Sequence, residues 1–197
     1  NTRTISVQQL MAEVKGICAG YHTIESKCIE VDQKQSGTSC ARRPKAFLND
    51  DQYRALTALH ITGMREVRDF FFTSSHPKAS AALRGLSAEY DMPARFWTHI
   101  IHDYLKVLRP RLPESFEHMI VFILEAYSMM QLLEETTNSG SYTTECTGDL
   151  ARYRFAIEDE DANARLHWKG VAIQQYSRVL DLDPTLGRLY HHSSILS

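Results

Sequence analysis

The chain has 197 residues, 43% of them hydrophobic and 23% charged, which is enough for one sizeable core or two small ones. Its 22 Lys and Arg against 24 Asp and Glu give a formal net charge of −2, excluding whole-chain attraction to nucleic acid or acidic lipid. The hydrophobic fraction excludes a disordered tail, and only 9 Gly and 6 Pro exclude collagen-like, linker-like and turn-dense all-β chains.

The N-terminal stretch Asn1–Gln9 lacks the apolar core of a signal sequence. From Ser6 to Gln33, Leu10, Val14, Ile17, Tyr21, Ile24, Cys28 and Val31 alternate in steps of four and three, a narrow helical stripe with a period near 3.5. Glu13, Lys15, Glu25, Lys27 and Glu30 are placed off the stripe, and Ser6 is a candidate cap. A helix this long must pack along another. Two partners fit: a second helix of the same chain, or a second copy in a homodimer seamed along Leu10–Val31.

Ser36–Asn49 breaks the pattern with Gly37, Ser39 and Pro44, and reads as a loop carrying the solvated basic run Arg42, Arg43 and Lys45. Asn49 or Asp50 caps a second long helix reaching about Ser74, with Tyr53, Leu56, His60, Met64, Val67 and Phe71 on one face. Phe70, Phe71 and Phe72 in succession predict an end enclosed on several sides. A short helix over Ala79–Tyr90 follows, then Asp91-Met92-Pro93 starts another that runs to Leu108, lined by Trp97, Ile100, Ile101, Tyr104 and Leu108. Glu114–Thr136 is apolar around most of its circumference, the mark of a central helix, and Asn138-Ser139-Gly140-Ser141 ends it. The longest uninterrupted apolar run, Met119–Leu124, is broken by Glu125 and falls short of the roughly 20 residues a membrane span needs. No stretch alternates with period two, so the fold class is all-α: antiparallel helices joined by short loops.

Cys146–Glu158, with Thr143 or Thr144 as cap, predicts a further helix, and Asp159-Glu160-Asp161 an acidic connector. The pattern Ala172, Tyr176, Leu180, Leu182, Pro184 then matches the second helix of a tetratricopeptide repeat. A small residue allows close approach, an aromatic fills the gap between hairpins, and proline stops the helix. Gly187–Ser197 opens the next hairpin, with Ile195 and Leu196 expected to face solvent or a partner. The division is one all-α domain over 1–197, with long helices in 1–142 and the tetratricopeptide-like hairpin in 143–197.

With its flanks, Thr147–Arg154 and Gly187–His192, this last quarter resembles the Est1-like family: telomerase-associated Est1 proteins, the SMG adaptors of mRNA decay, and fungal proteins carrying an Est1-like DNA/RNA-binding domain. The resemblance implies a 14-3-3-like layer of antiparallel helices running into tetratricopeptide-like hairpins. In that family, and in 14-3-3 proteins, Gly-Asp-x-x-Arg-Tyr places an arginine and a tyrosine in a groove that grips phosphoserine. Carried onto Gly148-Asp149-x-x-Arg152-Tyr153, this implies that Arg152 and Tyr153 bind phosphate, through paired guanidinium donors and a phenol. The family's basic residue from the third helix falls at Ile61, so Arg65, one turn on, is the third candidate. Arg68, Lys169, Arg178 and His191 are candidate groove-rim residues; His191 stands where the family commonly has Asn. The alternative is that Arg152 pairs with Asp149 or Glu158.

Cys18, Cys28, Cys40 and Cys146 show no C-x-x-C spacing and read as reduced thiols of an intracellular protein, cytoplasmic or nuclear, Cys18 and Cys28 as helix fillers. His99, His102 and Asp103 could share a helix face and, with His118 or Glu117 of the next helix, in principle hold a metal. No Glu-x-x-His repeats occur and His-x-x-His alone is common on exposed helices, so no metal is expected. No nucleotide-loop or nucleophile-elbow motif occurs, so neither an enzyme nor a cofactor is expected. The expected function is a non-catalytic protein-interaction module for a phosphorylated or acidic protein segment. The alternatives are an oligomeric helical scaffold without a phosphate site and a DNA/RNA-binding domain; no membrane partner is expected.

Overall fold

The computed structural model describes residues 6–37, 48–136 and 140–196, and every element among them is helical. The basic run Arg42, Arg43 and Lys45, the thiol Cys40, the residues Asn1–Ile5 and the Asn138-Ser139 stop all lie outside the described residues. The helices are α1 (Val7–Gly37), α2 (Asp50–Ser74), α3 (Ala81–Glu89), α4 (Met92–Arg95), a π-helical segment (Phe96–His102), α5 (Asp103–Leu108), a 3-10 turn (Arg109–Arg111), α6 (Phe116–Thr136), α7 (Gly140–Ile157), α8 (Ala162–Leu182) and α9 (Gly187–Ile195). They fall into two compact units, one through Met119 and one from Ile120. The change of character read at 142–143 therefore falls inside the second unit, which also takes most of α6.

In the first unit α1 lies along α2, with α5 and the π segment also against it. Both long helices start on reciprocal caps: Ser6 with Gln9 (3.2 and 2.8 Å) and Asn49 with Gln52 (2.8 and 2.9 Å). Leu10, Val14, Tyr21 and Cys28 are buried, whereas Ile17, Ile24 and Val31 are half-buried. The buried members of the stripe thus pack within the first unit, where α2 and α5 lie against α1. Two acidic residues are buried with it, Glu25 and Asp32. Tyr21, Glu25, Cys28 and Asp32 repeat the same four-three-four spacing, so Glu25 belongs on the stripe. A true helical period of 3.6 carries the inward face one residue later along its length.

Glu25 accepts hydrogen bonds from Tyr21 Oη (3.2 Å) and Arg95 Nε (2.9 Å), and from Arg95 Nη2. This joins α1 to α4 by a fork-on-carboxylate pair. On α2, Tyr53, His60, Met64, Val67, Phe70 and Phe71 are buried, but Phe72 is 45% exposed, so the phenylalanine run is open on one side. The single helix expected from Pro93 to Leu108 is divided by its π segment, where the Asp103 N–H reaches the Thr98 carbonyl five residues back. His60 Nδ1 donates to the Ile100 carbonyl at 2.8 Å, a side chain entering the helix ladder. Gly63 permits this approach, since a Cβ there would stand 2.8 Å from Ile100 Cδ1.

In the second unit α7 packs on α8 and α8 on α9. Its core joins Ala151, Ala172, Tyr176, Val179, Leu189 and Leu196, flanked by Tyr127 and Trp168 in an edge-on ring contact at 5.5 Å. Leu196 is 1% exposed, contrary to the expectation from its place at the end of the pattern, whereas Ile195 is 54% exposed. The stretch Phe116–Glu135 is, by length and composition, apolar enough to cross a membrane, a property the run-length argument missed. Core helices meet the same criterion, and Phe122, Ile123, Ala126, Met130 and Leu133 are buried.

Candidate functional site

The motif-bearing residues sit on α7, which starts at Gly140, six residues earlier than its apolar pattern suggests. Thr143 and Thr144, expected as caps, lie inside the first turn and donate to the Gly140 carbonyl at 3.2 and 2.5 Å. Asp161 caps α8 by accepting from the backbone of Asn163 (2.9 Å) and Ala164 (3.0 Å).

Where α7 meets α8, Gly148, Asp149 and Arg152 close around Tyr176. A Cβ at residue 148 would stand 2.7 and 2.9 Å from Tyr176 Cε1 and Cδ1, so only glycine admits the ring. The Tyr176 hydroxyl donates to Asp149 Oδ1 at 2.7 Å and accepts from Arg152 Nε at 3.1 Å. Arg152 Nη2 completes the triangle on Asp149 Oδ1 at 3.0 Å. From α9, His192 brings Nδ1 to 3.4 Å of the same carboxylate oxygen and its ring to 5.6 Å of Tyr176. Glu145 takes Arg188 in a forked pair at 2.7 and 2.8 Å, so a second ion pair ties α7 to α9.

The electrostatics follow from this enclosure. Burial pulls the Arg152 guanidinium down, but Tyr176 and Asp149 together outweigh it and hold Arg152 above its ordinary value. Burial, reinforced by the Asp149 charge, pushes the Tyr176 phenol up, so it acts as a neutral donor. Desolvation pushes His192 down; Asp149 pulls it back in part, while Arg152 adds to the depression.

Arg152 thus pairs with Asp149, one of the two partners foreseen for it, whereas Glu158 takes Arg154 at 2.5 Å. The Arg152 side chain is 23% exposed, and its Nη1 has no hydrogen-bond acceptor among the described residues. Tyr153 is half-buried, with Arg152 Cζ 5.6 Å from its ring centroid. Arg65 is exposed on α2 in the first unit, and Arg68 beside it bonds Asp69 at 2.9 and 3.0 Å. Lys169 is half-buried on α8. Arg178 pairs with Glu134 (2.5 Å) and Gln175 (2.8 Å), on the wall of a cavity of about 310 Å³ shared with Ser141, Thr144 and Asp181. His191 is exposed, its ring 6.2 Å from that of His192.

The sequence marks Tyr176 only as an aromatic filling the gap between hairpins and His192 only as part of the Gly187–His192 flank, with no role for either in the site. Their signal was present: a tyrosine at a buried position requires a partner for its hydroxyl, and Asp149 was the nearest acidic residue in the motif. No family model, no curated protein and no solved structure matches this chain.

Proposed function

We propose that this chain is a non-catalytic protein-interaction module that takes a phosphorylated or acidic protein segment at Arg152. The reading combines the Gly148–Tyr153 and Ala172–Pro184 patterns, similar to those of Est1-like and 14-3-3 proteins, with one observation. The Arg152 guanidinium is held by Asp149 and Tyr176 through Nε and Nη2, and its Nη1 meets no acceptor among the described residues. A pre-oriented guanidinium loses little freedom on meeting a planar pair of phosphate oxygens, and a phosphate carries nearly two charges against the single charge of Asp149. Tyr153, on the same helix, adds a phenol. On this reading the helices form a 14-3-3-like layer continued by tetratricopeptide-like hairpins.

The test is fluorescence anisotropy with a phosphoserine peptide library and its unphosphorylated twin. Preference for the phosphorylated set, lost in Arg152→Glu, is the expected result. Equal binding of both sets, or an unchanged preference in the variant, removes the proposal.

One observation favours a second reading, a helical scaffold without a phosphate site: Asp149 already neutralises Arg152, as Glu134 does Arg178. The motif then serves as a clamp between α7 and α8, and Arg152→Glu weakens the fold while leaving peptide affinity, if any, insensitive to phosphate.

A further inference from the structure

The first unit buries a carboxylate against an imidazole, and their geometry dictates how many protons they hold. His60 is wholly enclosed, and its Nδ1 lies 2.8 Å from the Ile100 carbonyl oxygen. A carbonyl only accepts, so Nδ1 carries a hydrogen. The other ring nitrogen, Nε2, faces Asp32 Oδ1 at 3.3 Å, with Asp32 only 4% exposed. Were Nε2 bare and Asp32 ionised, two lone pairs would oppose each other in a site almost closed to solvent, around a buried net charge. The second proton removes both penalties, whether it resides on nitrogen or on oxygen.

We propose that Asp32 and His60 form a proton-coupled latch, in which one shared proton fastens α1 to α2 and, through the Ile100 carbonyl, to the π-helical segment, and which alkaline pH releases. On release the proton passes to solvent, and a buried carboxylate is left facing an imidazole lone pair.

The groups around the latch leave the shared proton as its charge carrier. On α1, Cys28 is neutral: burial, with the nearby Asp32 and Glu25 charges, pushes its thiol up to about 12. On α5, Tyr104 stacks on the His60 ring at 4.2 Å, bonds Thr57 at 2.8 Å, and is kept protonated by burial. Asp103, also on α5, faces Asp32 with a like charge, while Arg111 of the 3-10 turn and Tyr53 of α2 act on Tyr104. Burial pushes the Asp32 carboxyl up, His60 pulls it back, and Asp103 adds to the rise.

The sign follows. An unfolded carboxyl ionises near 3.9 and an unfolded imidazole loses its proton near 6.5. Between those values the unfolded and folded pair both carry zero net charge. Above about 6.5 the unfolded chain has given up a proton that the folded chain keeps, so stability falls as pH rises, by up to about tenfold in the folding constant per pH unit.

Asp32→Asn tests this, because its amide N–H can supply the hydrogen that Nε2 needs and does not titrate. Between about pH 7 and 9, the folding constant of the native sequence should decline more steeply than that of Asp32→Asn, by up to about tenfold per pH unit. Equal slopes overturn the latch. Should the variant not fold, imidazole nitrogen and proton resonances of the native sequence decide: a proton held between His60 Nε2 and Asp32 at neutral pH and lost at alkaline pH supports the latch, and a bare Nε2 at neutral pH refutes it.

Discussion

Replacing Gly148 by alanine tests the clamp between α7 and α8. The new methyl carbon would stand 2.7 Å from Tyr176 Cε1 and 3.3 Å from Gln175 Cβ. Carbon atoms in ordinary contact are about 3.5–4.0 Å apart, so the ring must withdraw by roughly 0.8–1.3 Å. Tyr176 is fully buried, and its hydroxyl is 2.7 Å from Asp149 Oδ1, so that withdrawal stretches the bond beyond hydrogen-bonding range. Overpacking costs about 1–3 kcal/mol, and a lost bond to a charged group about 1.5–3 kcal/mol if the ring yields entirely. The helix propensity of alanine over glycine returns about 1 kcal/mol. A net loss of about 2 kcal/mol is expected. Gly170 on α8 has nothing within 4 Å of its would-be Cβ, so Gly170→Ala gains about 0.5–1 kcal/mol from propensity alone. Urea unfolding of the full chain, followed by Trp168 fluorescence in a Trp97→Phe background, reads the second unit. With a slope of about 2 kcal/mol per molar, Gly148→Ala lowers the midpoint by roughly 1 M while Gly170→Ala raises it. A Gly148→Ala midpoint equal to or above that of the unsubstituted chain would mean that the ring is not held against α7.

Tyr176→Phe keeps the ring and removes the hydroxyl bonds to Asp149 and Arg152; a loss of about 1–2 kcal/mol is expected on the same urea curve, and no loss would show those bonds to be replaceable by water. His192 is pushed down by burial, so its neutral form is favoured in the folded chain: its contribution is complete above about pH 6.5 and is lost as pH falls below it. Unfolding midpoints of the second unit should therefore drop between about pH 7 and 5, and drop less in His192→Asn; equal drops would contradict the assignment. Burial raises the thiols of Cys28, in the first unit, and Cys146, in the second, so both should resist iodoacetamide at neutral pH in the folded chain and react on unfolding, each timing the opening of its own unit by mass spectrometry. Gly63→Ala would bring its Cβ to 2.8 Å of Ile100 Cδ1, 3.3 Å of Cγ2 and 3.4 Å of Cγ1, so the Ile100 side chain must shift, and a loss of about 1–2 kcal/mol is expected on urea unfolding; no loss would show that Ile100 is not held against α2.

The helices were legible because each shows its period and its stops. Ser6 and Asn49 begin α1 and α2 where capping chemistry puts them, and the apolar spacing of α1, α2 and α8 picks out faces that are largely enclosed. Errors arose where an apolar residue has a polar competitor for the same face. Phe72 continues an aromatic run yet is exposed, whereas Glu25 and Asp32 interrupt a stripe yet are buried. The Gly-Asp-x-x-Arg-Tyr pattern was equally visible, but its sequence cannot distinguish an arginine awaiting a ligand from one bound to Asp149.

What the sequence by itself determined is therefore the all-helical class and the outline of each helix, since these depend on backbone periodicity and on residues within a turn or two of one another. The tertiary structure alone decided which polar groups are enclosed and with whom. Arg95 meets Glu25 from 70 residues away, His60 meets the Ile100 carbonyl from 40, and Tyr176 meets Asp149 from 27. Whether a charge faces water or a partner is a property of the crossing point between two helices, and local spacing carries no record of where helices cross.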